Sequence, residues 1–417
     1  MIKNIGFIQL YVFLFFLLGG YSIPADSSFV KDKKPKTIAS DSSKTVLFQE
    51  LINEFCKIND KNGAILRICE ELKTQIERDK KLLIAKKADL EATCHRNDSL
   101  KFYAKTDTII ILDDSLCNSE HVEKNKTGFL DSLIEKLEGG IIVLDVQINS
   151  KEKTIDSLST LIRKTETDVQ AIRKKIKNAT AKIYDGLMLN YCGVKYLIYV
   201  ANLDSDEIRM HLYKNKKKQN YFSLDAVKAD LELKGLEAKM ITNAGMFTPS
   251  NEPEGLYIEE GSQTNFELDT GKTQGDANFY LSPNGVFYID SSNTAHISTT
   301  MDFLTGKKIS TGHIRMATQS GPMLLINGSI HPKFTSGSSN EKIRSGVGII
   351  NEKKIVFAAT VDPSNFYSFS MFFKNIFDCR DALFLDGHIS QMYLKDINLH
   401  TEGSFGPILS VTKRKIK

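Results

Sequence analysis

The sequence lacks any Cys-x-x-Cys pair, although it contains six cysteines. Zinc sites commonly draw their ligands from such closely spaced pairs, so this absence argues against a zinc protein. The sequence also lacks an excess of one charge, because 55 basic residues offset 51 acidic ones to leave a net charge of +4. We therefore expect no nucleic acid as a partner, and we interpret the basic run at 214–220 as a solvated loop.

The N-terminal segment lacks the length of a membrane span. Residues 5–18 are almost wholly apolar and follow Lys3, but they fall short of the roughly 20 residues that a spanning helix needs. Small residues follow, as in a secretory signal, and no cysteine follows that would carry a lipid anchor. We predict a signal peptide at 1–22 and a linker at 23–43, with an uncleaved anchor as the alternative. The mature protein is then expected in the periplasm, in the cell envelope or secreted, with no stable membrane span.

The predicted export affects how the six cysteines are interpreted. If the chain is divided near residue 184, where its residue pattern changes, four of them lie in the N-terminal half, and Cys192 and Cys379 lie in the C-terminal half. An oxidising compartment permits disulfides within each half. The sequence does not assign the pairs.

The first half of the chain has helical periodicity. From residue 128 to residue 183 apolar side chains recur at alternating spacings of four and three, which predicts a coiled coil. Residues 44–127 carry shorter helical patterns, broken at 59–63. This helical region is expected either to fold back on the coiled coil as a hairpin or to join it in an oligomer. We interpret the coiled coil as a stalk or spacer that mediates self-association or partner binding.

The second half of the chain changes to short strands and turns. Turn-forming residues divide three segments into pairs of strand-like runs, which predicts three β-hairpins. The predicted hairpins span 278–290, 321–331 and 347–360, with turns at Asn284-Gly285, Asn327-Gly328 and Asn351.

A strand, a helix and a second strand then follow in order. The strands at 355–361 and 382–385 flank a segment with helical spacing of phenylalanine, which predicts a crossover with parallel strands. Asp362 and Asp386 lie just past the carboxyl ends of these strands, where open α/β sheets bind ligands. The predicted fold class is α+β. A β-rich, mixed-sheet catalytic domain at 184–417 contains the strand-helix-strand crossover and is preceded by the all-α coiled-coil region.

Six sequence blocks in this second half occur in a recognisable order. They are ITNAGMF (241–247), EGLYIEEG (254–261), NFYLSPNGVFYI (278–289), ATQSGPMLLINGSIHPKF (317–334), RSGVGI (344–349) and ALFLDGHIS (382–390). Together they resemble the phosphodiester glycosidase family, most closely its bacterial exported members, over about residues 190–417. The resemblance implies an exported hydrolase that cleaves a sugar from a sugar-1-phosphodiester in envelope or environmental glycans.

The resemblance also implies the site residues. Asp386 is the expected base or nucleophile at the anomeric carbon, Arg344 is expected to grip phosphate oxygens with two donors, and Asn243 completes the catalytic set. The turn that contains Asn243 and Gly245 is also expected to bind phosphate or sugar hydroxyls through its amide groups. The substrate-binding candidates are Gly245, Gln319, Ser320, Gly387, His388, Ser390, Asp362 and Asn365. The expected partner is the sugar-phosphate substrate, with no metal and no cofactor.

One position departs from the family. Many members carry small residues after Leu-Asp-Gly, whereas this chain has His388 and Ile389. His388 can narrow the sugar pocket, add a proton donor or bind a metal together with Asp386, and so leaves a metal-dependent phosphodiesterase as one alternative. His331 is interpreted as a hairpin side chain rather than a catalytic base.

Two further alternatives need no catalysis. The chain can be a sugar-phosphate-binding module displayed on a coiled-coil stalk, or a structural envelope protein. Turnover of an activated sugar phosphodiester distinguishes the hydrolase from both.

Overall fold

The fold is described from a computed structural model of the 417-residue chain. The structure describes residues 42–105, 119–183, 185–214, 218–263, 266–271, 278–306, 314–387, 390–397 and 403–414. The predicted signal peptide and almost all of the predicted linker lie outside these residues. Among the described helices, none is long and apolar enough to cross a membrane.

Two long helices form the first half of the described chain. Helix α1 spans Ser42–Lys105 and helix α2 spans Ser119–Thr180. The helices run in opposite directions, since Asn62 of α1 bonds Thr165 of α2 and Asn97 of α1 bonds Asp131 of α2. Apolar heptad positions of α2 are buried: Leu144, Ile148, Leu158, Val169, Ile172 and Ile176. Helix α1 therefore folds back along α2 within one chain, which is the hairpin arrangement.

The predicted interruption at 59–63 is wrong, because α1 is continuous through these residues. The Asn62 side chain accepts a 2.8 Å hydrogen bond from the Thr165 hydroxyl across the interface. Intrinsic helix propensity is a weak preference, and here packing against α2 outweighs it.

The rest of the described chain is β-rich. Its strands are β1 (Asp185–Tyr191), β2 (Val194–Asn202), β3 (Asp206–His211), β4 (Ala238–Asn243), β5 (Tyr257–Glu259), β6 (Ser262–Gln263), β7 (Gly285–Asp290), β8 (Ala295–Thr299), β9 (Ile314–Ser320), β10 (Met323–Ile326), β11 (Ser329–Ile330), β12 (Ser345–Asn351), β13 (Lys354–Thr360), β14 (Ala382–Asp386), β15 (Met392–Leu394) and β16 (Ile408–Lys413). Its helices are α3 (Leu224–Leu233), α4 (Thr300–Leu304) and α5 (Phe366–Phe377), with a 3₁₀-helix at Asn278–Tyr280.

These strands form three sheets. Their orders are β1-β2-β13-β12-β14-β10-β11, β15-β4-β16-β3 and β6-β5-β9-β7-β8. Alternate residues along β2 point to opposite faces of the seven-stranded sheet, so Tyr199 joins the core shared with the other two sheets while Tyr196 joins the core formed with α5. The α+β class is confirmed, with the seven-stranded sheet as the middle layer.

The predicted crossover is present in an altered form. Strands β13 and β14 flank α5 in the chain, and both pair antiparallel with β12, so they are parallel to each other. They are not neighbours, because β12 lies between them. Each neighbouring pair in the described sheets is antiparallel, so the prediction of a mixed sheet is wrong at the level of pairing.

Two of the three predicted hairpins are confirmed. Strands β10 and β11 turn at Asn327-Gly328, where both residues have positive φ, and β12 pairs with β13. The hairpin predicted at 278–290 is wrong, because its first run is the 3₁₀-helix and β7 pairs with β8 and β9. Gly285 begins β7, and a Cβ atom there would lie 2.4 Å from the sulfur of Met323, so close packing requires this glycine.

The base of the helical hairpin belongs to the core of the β-rich unit. Phe55 of α1 and Ile172 of α2 share one apolar cluster with Tyr196 and the phenylalanines of α5. A disulfide joins Cys56 of α1 to Cys192, which follows β1, with Cα atoms 5.3 Å apart. This bond connects the two halves of the chain, whereas the pairs considered from the sequence lay within each half.

Candidate functional site

The predicted site residues lie where strands of all three sheets end or begin. Asn243 ends β4, Ser320 ends β9, Arg344 precedes β12 and Asp386 ends β14. Residues Ser345 and Asp386 are paired in the register of β12 and β14. Side-chain hydrogen bonds, rather than one continuous sheet, hold these ends together.

Asn243 organises a buried polar cluster under the Asp386 loop. Its amide nitrogen donates to the Ser345 hydroxyl at 2.8 Å, and its amide oxygen accepts from the backbone N–H of Gln391 at 3.1 Å. The hydroxyls of Ser345 and Ser390 lie 3.0 Å apart, and Ser390 also donates to the backbone carbonyl of Asp386. Both polar atoms of the Asn243 amide are thus occupied by groups of the protein itself. We therefore assign it a positioning role beneath the loop rather than direct contact with a substrate.

A second set of contacts joins the Gly245 turn to β9. A Cβ atom on Gly245 would lie 2.3 Å from the carbonyl oxygen of Gln319, so close packing requires this glycine, and its N–H already donates to the Thr318 hydroxyl. The Ser320 hydroxyl accepts from the N–H of Met246 at 3.3 Å and donates to the carbonyl of Leu385 at 2.9 Å. Ser320 thus ties the turn after β4 to the end of β14.

The carboxylate of Asp386 lies at the end of this scaffold. Asp386 is half-buried, and its Oδ1 accepts a 2.6 Å hydrogen bond from the N–H of Gly387. Gly387 packs closely, since a Cβ atom there would lie 3.2 Å from the Phe384 ring and 3.9 Å from the amide nitrogen of Asn278. The carboxylate therefore lies at a closely packed strand end, and the residue that follows it approaches Asn278.

Arg344 is buried, and no carboxylate among the described residues pairs with it. It is 0% exposed, its Nε donates to the carbonyl of Ser364 at 2.6 Å, and its Nη2 donates to the carbonyl of Asn340 at 2.8 Å. Its Nη1 has no hydrogen-bond partner among the residues that the structure describes. Burial lowers the pKa of Arg344 to about 10, so the guanidinium is still charged at neutral pH. A buried cation with an unused donor is costly unless an anion completes it.

The surroundings of Arg344 reinforce its positive field. The guanidinium lies 3.7 Å from the ring centroid of Phe366, the first residue of α5, and 5.7 Å from that of Phe384. Asn365 caps this helix by accepting from the N–H of Ser368. The positive end of the α5 dipole therefore lies beside a charged guanidinium, and both attract an anion.

Other candidates hold structure together. The Gln319 amide is 1% exposed and makes four hydrogen bonds, to Leu256, to Thr300 and twice to Asp269. Asp362 accepts from the N–H of Lys195 at 2.9 Å and does not cap α5. His388 lies outside the described residues.

His331 also has a structural environment. Its Nδ1 accepts from the N–H of Lys333, and its Nε2 lies 3.0 Å from the carbonyl of Ser282. Burial lowers the pKa of this imidazole, which favours the neutral form. These contacts match a ring with one proton, on Nε2, and both nitrogens in use.

Sequence reasoning did not single out three polar residues that take part in this arrangement. They are Asn278, Thr318 and Ser345, and each lies inside one of the quoted sequence blocks. Their positions in the blocks were the available signal. Only the packing of the three sheets shows that these side chains meet the strand ends.

Comparisons with known proteins found a family model, a curated relative and a solved structure that match parts of this chain. Residues 237–414 match the phosphodiester glycosidase family model. The chain is 34% identical to the uncharacterized protein YigE of Escherichia coli strain K12 over 197 residues, which cover 47% of this chain and 73% of YigE. Among solved structures, the zebrafish N-acetylglucosamine-1-phosphodiester alpha-N-acetylglucosaminidase catalytic domain, auto-inhibited by its pro-peptide, matches with a TM-score of 0.39 and 14% identity over 55% of this chain and 82% of that one. The family model spans the strand ends just described, and the match to YigE covers 73% of that relative at 34% identity. This chain therefore belongs to the phosphodiester glycosidase family.

Proposed function

We propose that the chain is an exported hydrolase that removes a sugar from a sugar-1-phosphodiester and leaves a phosphomonoester. The observation that carries the proposal is Arg344. A buried guanidinium with an unused Nη1 and no opposing carboxylate in the described chain is suited to an anionic ligand. Its planar array of donors fits two phosphate oxygens at once, which an ammonium group does not.

The reaction divides between two strand ends. The phosphodiester binds at Arg344 and the start of α5, where the guanidinium and the helix dipole stabilise negative charge on the leaving phosphate. Asp386 serves the anomeric carbon in one of two ways. It takes a proton from an attacking water, or it attacks as a carboxylate to form a glycosyl ester that water then hydrolyses to the free sugar. The bond between the anomeric carbon and oxygen breaks, and the phosphate leaves as a monoester. Because phosphate is a good leaving group, little general-acid assistance is required.

Export has one structural argument in its support. The Cys56–Cys192 disulfide joins two elements of the core, and disulfides of this kind persist in oxidising compartments outside the cytosol. The predicted signal peptide at 1–22 is consistent with that location. We therefore propose envelope or environmental glycans as the substrate source.

A turnover assay tests the proposal directly. Residues 23–417, oxidised, would be incubated with sugar-1-phosphodiesters that differ in the sugar, and free sugar and phosphomonoester would be measured together. Equal amounts of both products are expected. Binding of a diester without turnover would contradict the hydrolase and support the sugar-phosphate-binding module instead.

Arg344→Lys tests the phosphate site. One point charge replaces a two-pronged donor, so we expect a roughly ten- to hundredfold loss of turnover, and inorganic phosphate should no longer raise the melting temperature. Arg315→Lys is the matched control, because Arg315 is a half-buried arginine already paired with Glu207. The control should keep turnover. Unchanged turnover in folded Arg344→Lys protein would exclude Arg344 as the phosphate ligand.

A further inference from the structure

The outward side of helix α2 carries a second apolar surface. We name it the outer stripe, and it consists of Gly139, Ile142, Val143 and Val146. The three aliphatic side chains are 63%, 54% and 63% exposed, and a Cβ atom on Gly139 would meet nothing within 4 Å. At ~100° per residue these positions share one face of the helix. That face is opposite the hairpin interface, in which Leu144 and Ile148 are 8% and 6% exposed.

The residue types of the outer stripe indicate that a partner covers it. Ile142, Val143 and Val146 are β-branched, so their helix propensity is lower than that of ordinary surface residues. Exposing their apolar side chains to water also costs free energy that burial would recover. They form one contiguous patch over two turns rather than scattered positions. Helix α1 cannot cover this patch, because it occupies the opposite side of α2.

Charges at the two ends of the outer stripe indicate which partner fits. Glu135 lies before the stripe on the same face and Lys153 lies after it, and both are exposed. They are equally far, in sequence, from residue 144. If a second copy of α2 crosses the stripe in the opposite direction about this centre, each Glu135 faces Lys153 of the other copy, and each Ile142 faces Val146. A parallel arrangement would instead place like charges together.

We propose that two copies of this chain associate through the outer stripe, with their α2 helices antiparallel. Val169, which is buried in the core of the β-rich unit, lies 25 residues from the centre of the interface, or about 37 Å along the helix. The two β-rich units therefore lie at opposite ends of the pair and do not collide. The association does not depend on the proposed catalytic function.

The first experiment measures the mass of residues 23–417 in solution by analytical ultracentrifugation over a wide concentration range. A reversible monomer–dimer equilibrium is expected. The variant Ile142→Lys with Val146→Lys should be monomeric, with unchanged helix content by circular dichroism. Ile84→Lys is the matched control, because Ile84 of α1 is 68% exposed but lies outside the stripe, and it should dimerise normally.

The second experiment tests the direction of the helices. Glu135→Lys places lysine against lysine at both symmetric contacts and should weaken the dimer about tenfold. Adding Lys153→Glu restores opposite charges and should restore the dimer. A chain that is monomeric at every concentration, a dimer that survives the Ile142→Lys, Val146→Lys change, or a double charge variant no tighter than Glu135→Lys alone would each overturn the proposal.

Discussion

At the scale of single residues, the candidate site combines buried polar groups that bond the protein with one half-buried carboxylate. Asn243 and Ser320 are both 0% exposed, and their polar atoms bond the protein itself. Asp386 differs, because it is half-buried at a strand end and its carboxylate lies beside the packed backbone of Gly387. We therefore propose that Asp386 reacts and that Asn243 and Ser320 hold its loop in place.

The change Asp386→Asn tests this division. An amide is nearly isosteric with a carboxylate but neither accepts the proton nor attacks as an anion, so turnover should fall by at least about a hundredfold while the melting temperature changes little. Stopped assays for sugar release on the oxidised protein provide the measurement.

The matched control for that change is Asp362→Asn. Asp362 also follows a strand of the central sheet, but its carboxylate accepts from the N–H of Lys195. We expect the control to keep most of its turnover. If Asp386→Asn were near-normal and Asp362→Asn inactive, the catalytic carboxylate would have to be reassigned to Asp362.

At the scale of elements, the site depends on how closely β4 approaches β9. Gly245 allows that approach, because a side chain there would strike the Gln319 carbonyl and the Thr318 hydroxyl at 2.3 and 2.4 Å. The turn that follows β4 and the ends of β9 and β14 are then held by single hydrogen bonds. A small separation of these strands would displace the Asp386 loop.

We therefore expect Gly245→Ala to impair both stability and turnover. The added methyl group overpacks a buried contact between backbones, so the free energy of unfolding should fall by about 1–3 kcal/mol. Chemical denaturation and the sugar-release assay would measure the two effects. Gly63→Ala is the control, since Gly63 lies in α1 with its nearest neighbour 4.0 Å away, and alanine should stabilise that helix.

At the scale of the whole molecule, the helical hairpin and the β-rich unit share a core. Phe55 and Ile172 pack with Tyr196, and the Arg173 guanidinium donates to Asn375 of α5 at 2.6 Å. Helix α5 also positions Phe366 against Arg344. The hairpin thus contributes directly to the core of the β-rich unit.

The disulfide gives this connection a measurable free energy. It closes a loop with a sequence separation of 136 residues, so the change Cys56→Ser with Cys192→Ser should lower the free energy of unfolding by about 2–5 kcal/mol. Chemical denaturation with and without a reducing agent would measure this. Cys94→Ser is the control, because Cys94 is not in a disulfide, and it should behave like the unchanged protein. A reducing agent that left the unchanged protein equally stable would contradict the assignment.

The sequence by itself determined the division into a helical half and a β-rich half. Heptad spacing and period-two spacing are local signals, because one face of each element must be apolar. Local turn chemistry likewise located the hairpin at Asn327-Gly328. The six ordered blocks led to the family and to the strand ends that carry Arg344 and Asp386.

Only the tertiary structure decided which of these elements touch. The Asn284-Gly285 pair reads as a turn, yet Asn284 bonds Phe279 and Thr300, and Gly285 packs within a strand. Helix α1 runs unbroken through 59–63 because α2 supplies a partner for Asn62. Three features are long-range: the position of β12 between β13 and β14, the Cys56–Cys192 bond, and the lack of a countercharge for Arg344 among the described residues. Each depends on free energies of contact between residues far apart in the chain, which no local spacing encodes.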